Sequence, residues 1–145
     1  MQIHHFSFQD IPQFSARDIA YTTAYEAFEQ VFKDKSEAKI NREVLVEVLK
    51  EQYKSFKTNE LVNAQIEKLK DENTFTVVTA HQPSLFTGPL YFIYKIFSAI
   101  NLAEQLNATY IDHHVVPIFV IGGEDHDFEE INHAHLFNKE LLWEN

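Results

Sequence analysis

The chain has 145 residues, enough for one ordinary domain and too few for two sizeable cores. Twelve Lys/Arg against 22 Asp/Glu give a net charge of −10, and residues 74–145 hold only Lys95 and Lys139 against nine carboxylates, so the basic stripe a phosphate backbone requires is missing and nucleic acid is excluded as a partner. A content of 45% hydrophobic and 14% aromatic residues excludes disorder by composition, and the absence of cysteine excludes disulfides, thiolate metal sites and a cysteine nucleophile.

No apolar run reaches the ~18 residues that span a bilayer. The opening MQIHHFSFQD has neither a cationic region nor an apolar one, so neither a membrane span nor a secretory signal is expected, and a soluble cytoplasmic protein is. Residues 1–14 read as a short extended lead containing His4 and His5. From Ser15, a possible cap, the pattern turns helical, with Ile19, Thr23, Phe28, Val31 and Phe32 on one face, until a polar break at Lys33–Lys39. A second amphipathic helix is predicted over 41–56, on Val44, Leu45, Val48, Leu49 and Phe56. A third begins near Asn59, on Leu61, Val62, Ile66 and Leu69.

The character changes at 71–74. Phe75–Thr79 is β-branched and predicts a strand, followed by a loop from His81 to Gly88. Pro89 suits the first position of a helix running to about Leu106, with Ile93, Ile96, Phe97, Ile100 and Ala103 facing inward. Val115–Ile121 is continuously apolar, the mark of a strand covered on both faces, with Pro117 hinting at an edge or a bulge. The end, His135–Phe137 and Leu141–Trp143 around Asn138–Lys139, reads as a hairpin with a weak turn signal. The fold class expected is α/β. A helical segment (1–73) leads into the first part of a Rossmann-like parallel sheet, a βαβ unit with a right-handed crossover (74–145), incomplete as a fold.

That topology makes a functional statement. Loops leaving the carboxyl ends of neighbouring parallel strands lie side by side, and ligands bind there. The first loop offers His81, Gln82, Ser84, Thr87 and Gly88, then a helix N-terminus that favours an anion, with Tyr91 and Lys95 on one flank at i, i+4. The second offers Glu124, Asp125, His126 and Asp127, part of a run of five carboxylates in seven positions. Carboxylate beside imidazole can orient a general base or bind a metal, and crowded carboxylates raise one another's pKa. Competing readings are plain: Asp125 or Asp127 as a helix N-cap, and Lys95 as a solvated lysine. A zinc reading from His81, His126 and a carboxylate lacks any HExxH-type spacing, and Ser84, His81 and Asp125 lack a GxSxG elbow. With three glycines there is no GxGxxG and no P-loop. His113 and His114, with Asp112, precede the second strand at the opposite edge, and His133 and His135 read as strand residues, one to each face.

Two segments resemble a known family. Thr79-Ala80-His81-Gln82-Pro83-Ser84-Leu85-Phe86-Thr87-Gly88-Pro89-Leu90-Tyr91 followed by Lys95 is similar to the TGQQxxLFxGPLYxxxK stretch of the bacillithiol biosynthesis cysteine-adding enzymes. Pro117-Ile118-Phe119 and Glu124-Asp125-His126-Asp127-Phe128-Glu129-Glu130-Ile131-Asn132-His133 resemble that family's PVFW and EDHDxxExNH segments, in the same order and spacing. Ala80 stands in place of glycine, His81 in place of glutamine and Val120 in place of tryptophan. Gly122-Gly123 occupy positions where less flexible residues are common.

The resemblance implies a Rossmann-like core and a ligase that joins cysteine to the amine of glucosaminyl malate, with ATP or ADP admitted as a cofactor but not fixed. It implies a full-length protein several times longer, homodimeric through a carboxy-terminal coiled coil, of which this chain is a fragment. In that reading Asp125, His126 and Asp127 handle the amine. His81, Gln82, Thr87, Gly88, Tyr91, Lys95 and Glu124 bind substrate or an anion, and no metal is required. A binding or scaffold module is the alternative, with a metal-dependent hydrolase behind it.

Overall fold

A computed structural model describes residues 12, 15–16, 19–20, 25–57, 60–124 and 127–144. At Ser15 the predicted helical lead does begin, since its carbonyl accepts the Ile19 N–H at 3.1 Å; Thr23 lies outside the described residues. A 3₁₀ turn at Tyr25–Phe28 then leads into α1, Glu29–Ser36. The helix therefore runs into the expected polar break, because Lys33 and Lys35 sit in its last turn, where cations are favourable.

Helix α2 spans Arg42–Tyr53, with the Asn41 side chain accepting the Val44 N–H at 3.2 Å as its N-cap. Helix α3 spans Glu60–Lys68. Arg42 ties the two together by donating to the carbonyls of Leu69 (3.0 Å) and Glu72 (3.3 Å), groups left over at the end of α3.

Strand β1 runs Thr74–His81 and pairs in parallel with β2, His114–Ile121, across the long helix α4, Leu90–Thr109. Both strands reach further than expected, and α4 extends to Thr109, whose hydroxyl donates to the Gln105 carbonyl. Pro89 is extended and lies just before the helix rather than in it.

The alternation of side chains along the strands splits the core in two. On one face Phe75, Val77 and Val115 meet Ala103 and Leu106 of α4 and Phe32 of α1. On the other, Val116 and Ile118 meet Val46 and Leu49 of α2, Val62 and Ile66 of α3, and Leu69 just past its end.

Several inward assignments change accordingly. Val46 is fully buried, while Val44, Leu45, Val48 and Phe56 are exposed, as is Leu61 on α3. On α4 the buried line is Phe92, Ala99, Ala103 and Leu106, and Phe97 faces out. Strand β2 is buried or partly buried through Phe119, and only Val120 and Ile121 at its end are exposed.

A short helix α5, Phe128–Ile131, leads into an antiparallel hairpin, β3 (His133–Leu136) and β4 (Lys139–Leu142). Its two-residue turn is Phe137–Asn138, both at positive φ (50° and 61°), the signature of a tight I′-type turn. His133 and His135, two apart on β3, share one face, since a strand repeats every second residue; the expectation of one face each is corrected.

Candidate active site at the carboxyl edge of the sheet

The sheet's register sets the site. His81 is the last residue of β1 rather than the first of a loop, paired with Ile121, and its carbonyl accepts the Gly122 N–H at 3.0 Å. The chain leaves both strands at this level, and Ala80, His81, Gln82, Ile121, Gly122, Gly123 and Glu124 line a single open cleft. The expected convergence of the two polar turns on one edge is thereby met for His81, Gln82 and Glu124.

His81 is held on all sides. Its Nδ1 lies 2.8 Å from the Gln82 carbonyl, which only accepts, so this nitrogen carries the proton. Its Nε2 lies 2.7 Å from the Tyr91 hydroxyl and receives that proton donor in the neutral ring. The ring packs between Tyr91 and Phe92, with centroids 5.1 and 5.3 Å away, and Phe92 in turn packs on Phe119 of β2. Lys95, one turn on from Tyr91, donates to the Ala80 carbonyl at 3.2 Å with its ammonium 5.4 Å from the Tyr91 ring centre. Strand end, helix start and lysine thus form one connected unit, His81–Tyr91–Lys95.

Thr87 ends a tight 3₁₀ turn, Leu85–Thr87, and Gly88 caps it. Phe86, Thr87 and Gly88 all take positive φ, and the Gly88 N–H is spent on the Leu85 carbonyl at 2.9 Å. Only glycine fits at 88, since a Cβ there would stand 2.7 Å from the Ser84 Cβ. Gly88 shapes the entry to α4, with its own N–H already taken.

Of the acidic run, Glu124 is exposed in the cleft, while Asp125 and His126 lie outside the described residues. Asp127 is the N-cap of α5, its carboxylate accepting the Glu129 N–H at 2.9 Å. Capping therefore accounts for Asp127 structurally and leaves its charge available. Phe92 was not anticipated as part of the site; its signal was its place beside Tyr91 at the first turn of α4, where a residue next to a flanking one must point at the strand end.

At the opposite edge, His114 opens β2 with its Nε2 3.0 Å from Gln65 Oε1, and burial, seconded by Lys68, lowers its pKa against the opposing pull of Asp71. His113 is packed among Phe32, Phe75 and Tyr110. Neither approaches the cleft. No helix among the described residues is long and apolar enough to cross a membrane.

Residues 11–145 match the family described as bacillithiol biosynthesis BshC, N-terminal Rossmann-like domain. Relatives named "Putative cysteine ligase BshC" share 45% identity over 126 residues in Flavobacterium psychrophilum (85% of this chain, 24% of the relative). The figures are 49% over 113 residues in Christiangramia forsetii (78% and 21%) and 40% over 155 residues in Cytophaga hutchinsonii (98% and 30%). The chain spans less than a third of the length of each of these relatives. Parallel βαβ pairing, the motif-bearing turns at its carboxyl edge and this coverage agree: the chain belongs to the bacillithiol biosynthesis BshC family, matching its N-terminal Rossmann-like domain.

Proposed function

We propose that this chain contributes one wall of a pocket in which a BshC protein joins cysteine to the amine of glucosaminyl malate through a C–N amide bond. The observation that carries the reading is the parallel register, which opens the His81–Gln82 and Gly122–Glu124 turns onto one cleft. The relatives' name, a cysteine ligase, supports the reaction class.

In this reading Gln82, the Thr87–Gly88 turn and the start of α4 face an anionic group, a substrate carboxylate or a nucleotide phosphate. His81 aims the Tyr91 hydroxyl, and Lys95 neutralises the charge. Glu124, Asp125, His126 and Asp127 attract the cationic amine and remove its proton, because nitrogen must present a lone pair before it attacks the cysteine carboxyl carbon. As the C–N bond forms a carboxyl C–O bond breaks, and the oxygen leaves on the phosphoryl group of a nucleotide where one activates the carboxyl, and as water where none does.

The test uses the full-length protein in cells that depend on it for bacillithiol. His126→Ala is expected to lower product formation by roughly 10²–10⁴-fold, the range for loss of a positioned proton acceptor. If His126→Ala and Asp127→Asn both leave bacillithiol levels unchanged, the assignment of the acidic turn is wrong. Product formation by the purified full-length protein from cysteine and glucosaminyl malate, with and without ATP, decides whether a nucleotide is used.

A second reading, a binding or scaffold module, is favoured by the capping role of Asp127. Equilibrium binding of glucosaminyl malate, cysteine and ATP separates the two: a cooperatively melting chain that takes up none of them supports the scaffold.

A further inference from the structure

We propose that the β3–β4 hairpin carries a divalent metal site with His133, His135 and Glu140 as ligands, and that zinc is the ion its donors suit. The site is separate from the pocket above and does not depend on it.

The two imidazoles share one face of β3, with ring centres 5.8 Å apart and planes nearly perpendicular at 87°. Glu140 is the cross-strand partner of His135, its Oε1 3.9 Å from His135 Nε2. One donor atom from each of the three residues lies within 4.8 Å of the other two. Ligands about 2.0–2.2 Å from a tetrahedral zinc stand roughly 3.3–3.5 Å apart, so the triad must close by about 1–1.5 Å. The side chains of His135 and Glu140 are 69% and 59% exposed, so their rotation is unhindered by packing.

A second observation is independent of that spacing. His133 Nδ1 lies 3.0 Å from the Glu129 carbonyl and 3.3 Å from Asn132 Oδ1. Facing a carbonyl, Nδ1 carries the proton, which leaves the Nε2 lone pair for a ligand. Metal-binding histidines are held in this way, with the far nitrogen donating to a backbone oxygen that fixes tautomer and ring orientation.

A third lies in the turn. With Phe137 and Asn138 both at positive φ, the hairpin register is fixed, and with it the placement of Glu140 opposite His135. A simple surface ion pair between His135 and Glu140 would explain two of the three residues and not the orientation of the third. Two imidazoles and one carboxylate suit zinc, whereas calcium and magnesium prefer oxygen donors alone. Because β3 packs on the Leu85–Thr87 turn, an ion here would brace the hairpin against the loop that leaves β1.

The experiment is a titration of the chain with Zn²⁺ alone, in competition with a chromophoric chelator, repeated with Co²⁺ to read the absorption bands of a low-symmetry nitrogen–oxygen site. One ion per chain is expected. His135→Ala and Glu140→Gln should each weaken it at least tenfold, the lower end of what loss of even an outer partner costs. His114→Gln, at the sheet edge opposite the cleft, should change nothing. Glu140→Gln preserves side-chain shape, so its effect reads ligation rather than folding. Absence of stoichiometric binding, or binding untouched in a His133→Asn/His135→Asn variant, would overturn the proposal.

Discussion

Asp127 shows how one side chain can satisfy two demands at once. As N-cap of α5 it accepts the Glu129 N–H, and as the last acid of the Glu124–Asp127 turn it adds negative charge near the cleft. The two roles separate by substitution. Asparagine caps as well as aspartate, so Asp127→Asn should leave thermal stability within a few tenths of a kcal/mol, while Asp127→Ala should cost about 1 kcal/mol in a denaturant melt. If Asn also abolishes ligase activity of the full-length protein, the charge acts in the chemistry; if only Ala does, the cap alone matters. Gly88 is the case in which the backbone itself decides the residue. At φ 62°, ψ −144° it occupies a region essentially closed to other residues, and any Cβ meets Ser84. Gly88→Ala is expected to cost of order 1–3 kcal/mol in the same melt, and pairing it with Ser84→Gly should recover the contact but not the backbone term. The Tyr91–Lys95 flank was legible from i, i+4 spacing. The clamp on His81 was not, because it depends on β1 running two residues further than its β-branched core and thereby bringing His81 under the first turn of α4.

Among the elements, the strands and their parallel pairing were legible, whereas the inward faces of the helices were not. Helix α2 carries Val44, Leu45, Val46, Val48 and Leu49, apolar on most of its circumference, so periodicity alone does not choose a side. The choice is made by Asn41, which caps the helix, and by Arg42, whose guanidinium docks on the end of α3 and turns Val46 and Leu49 toward Val116 and Ile118. Helix α4 has the same ambiguity, resolved by the small residues Ala99 and Ala103, which let it approach the sheet closely. At the α3–β2 junction, burial and Lys68 hold His114 below its ordinary pKa of 6.5, outweighing Asp71. The folded chain thus resists taking up a proton that the unfolded chain accepts. This contribution to stability is present above about pH 6.5 and declines as pH falls toward the lowered folded-state value. His114→Gln, which can still meet Gln65, should flatten the fall of melting temperature between about pH 7 and 5.5. An unchanged slope would place the proton uptake elsewhere.

At the scale of the molecule, the parallel β1–β2 sheet has two edges without a neighbouring strand among the described residues, and they are not equivalent. His114 N–H donates to the Asn73 carbonyl and Gly122 N–H to that of His81, which fixes the parity of the ladder. Val115, Pro117, Phe119 and Ile121 therefore turn their backbone away from β1. Along that outer edge of β2 the Asn107 side chain already takes both polar groups of Val115, at 2.8 and 2.9 Å, and Pro117 has no N–H to offer. The outer edge of β1 is less guarded. Thr76 and Val78 turn their backbone outward there, and Lys95 occupies only the carbonyl of Ala80 at its end. The face of β1 next to that edge is also bare, with Val78 57% exposed, whereas α2 and α3 cover the matching stretch of β2. An exposed apolar residue beside unpaired backbone is where a sheet grows, and an edge already capped by a side chain and a proline is where growth is impeded. In the full-length protein, which in the relatives is more than three times the length of this chain's match, the next parallel strand is expected beside β1. Hydrogen exchange on that protein reads the outcome directly. The amides of Thr76 and Val78 should be as protected as the ladder amides of Val77 and Ile118, and those of Phe119 and Ile121 should exchange faster. The reverse pattern would put the added strand on β2 and leave β1 as the edge.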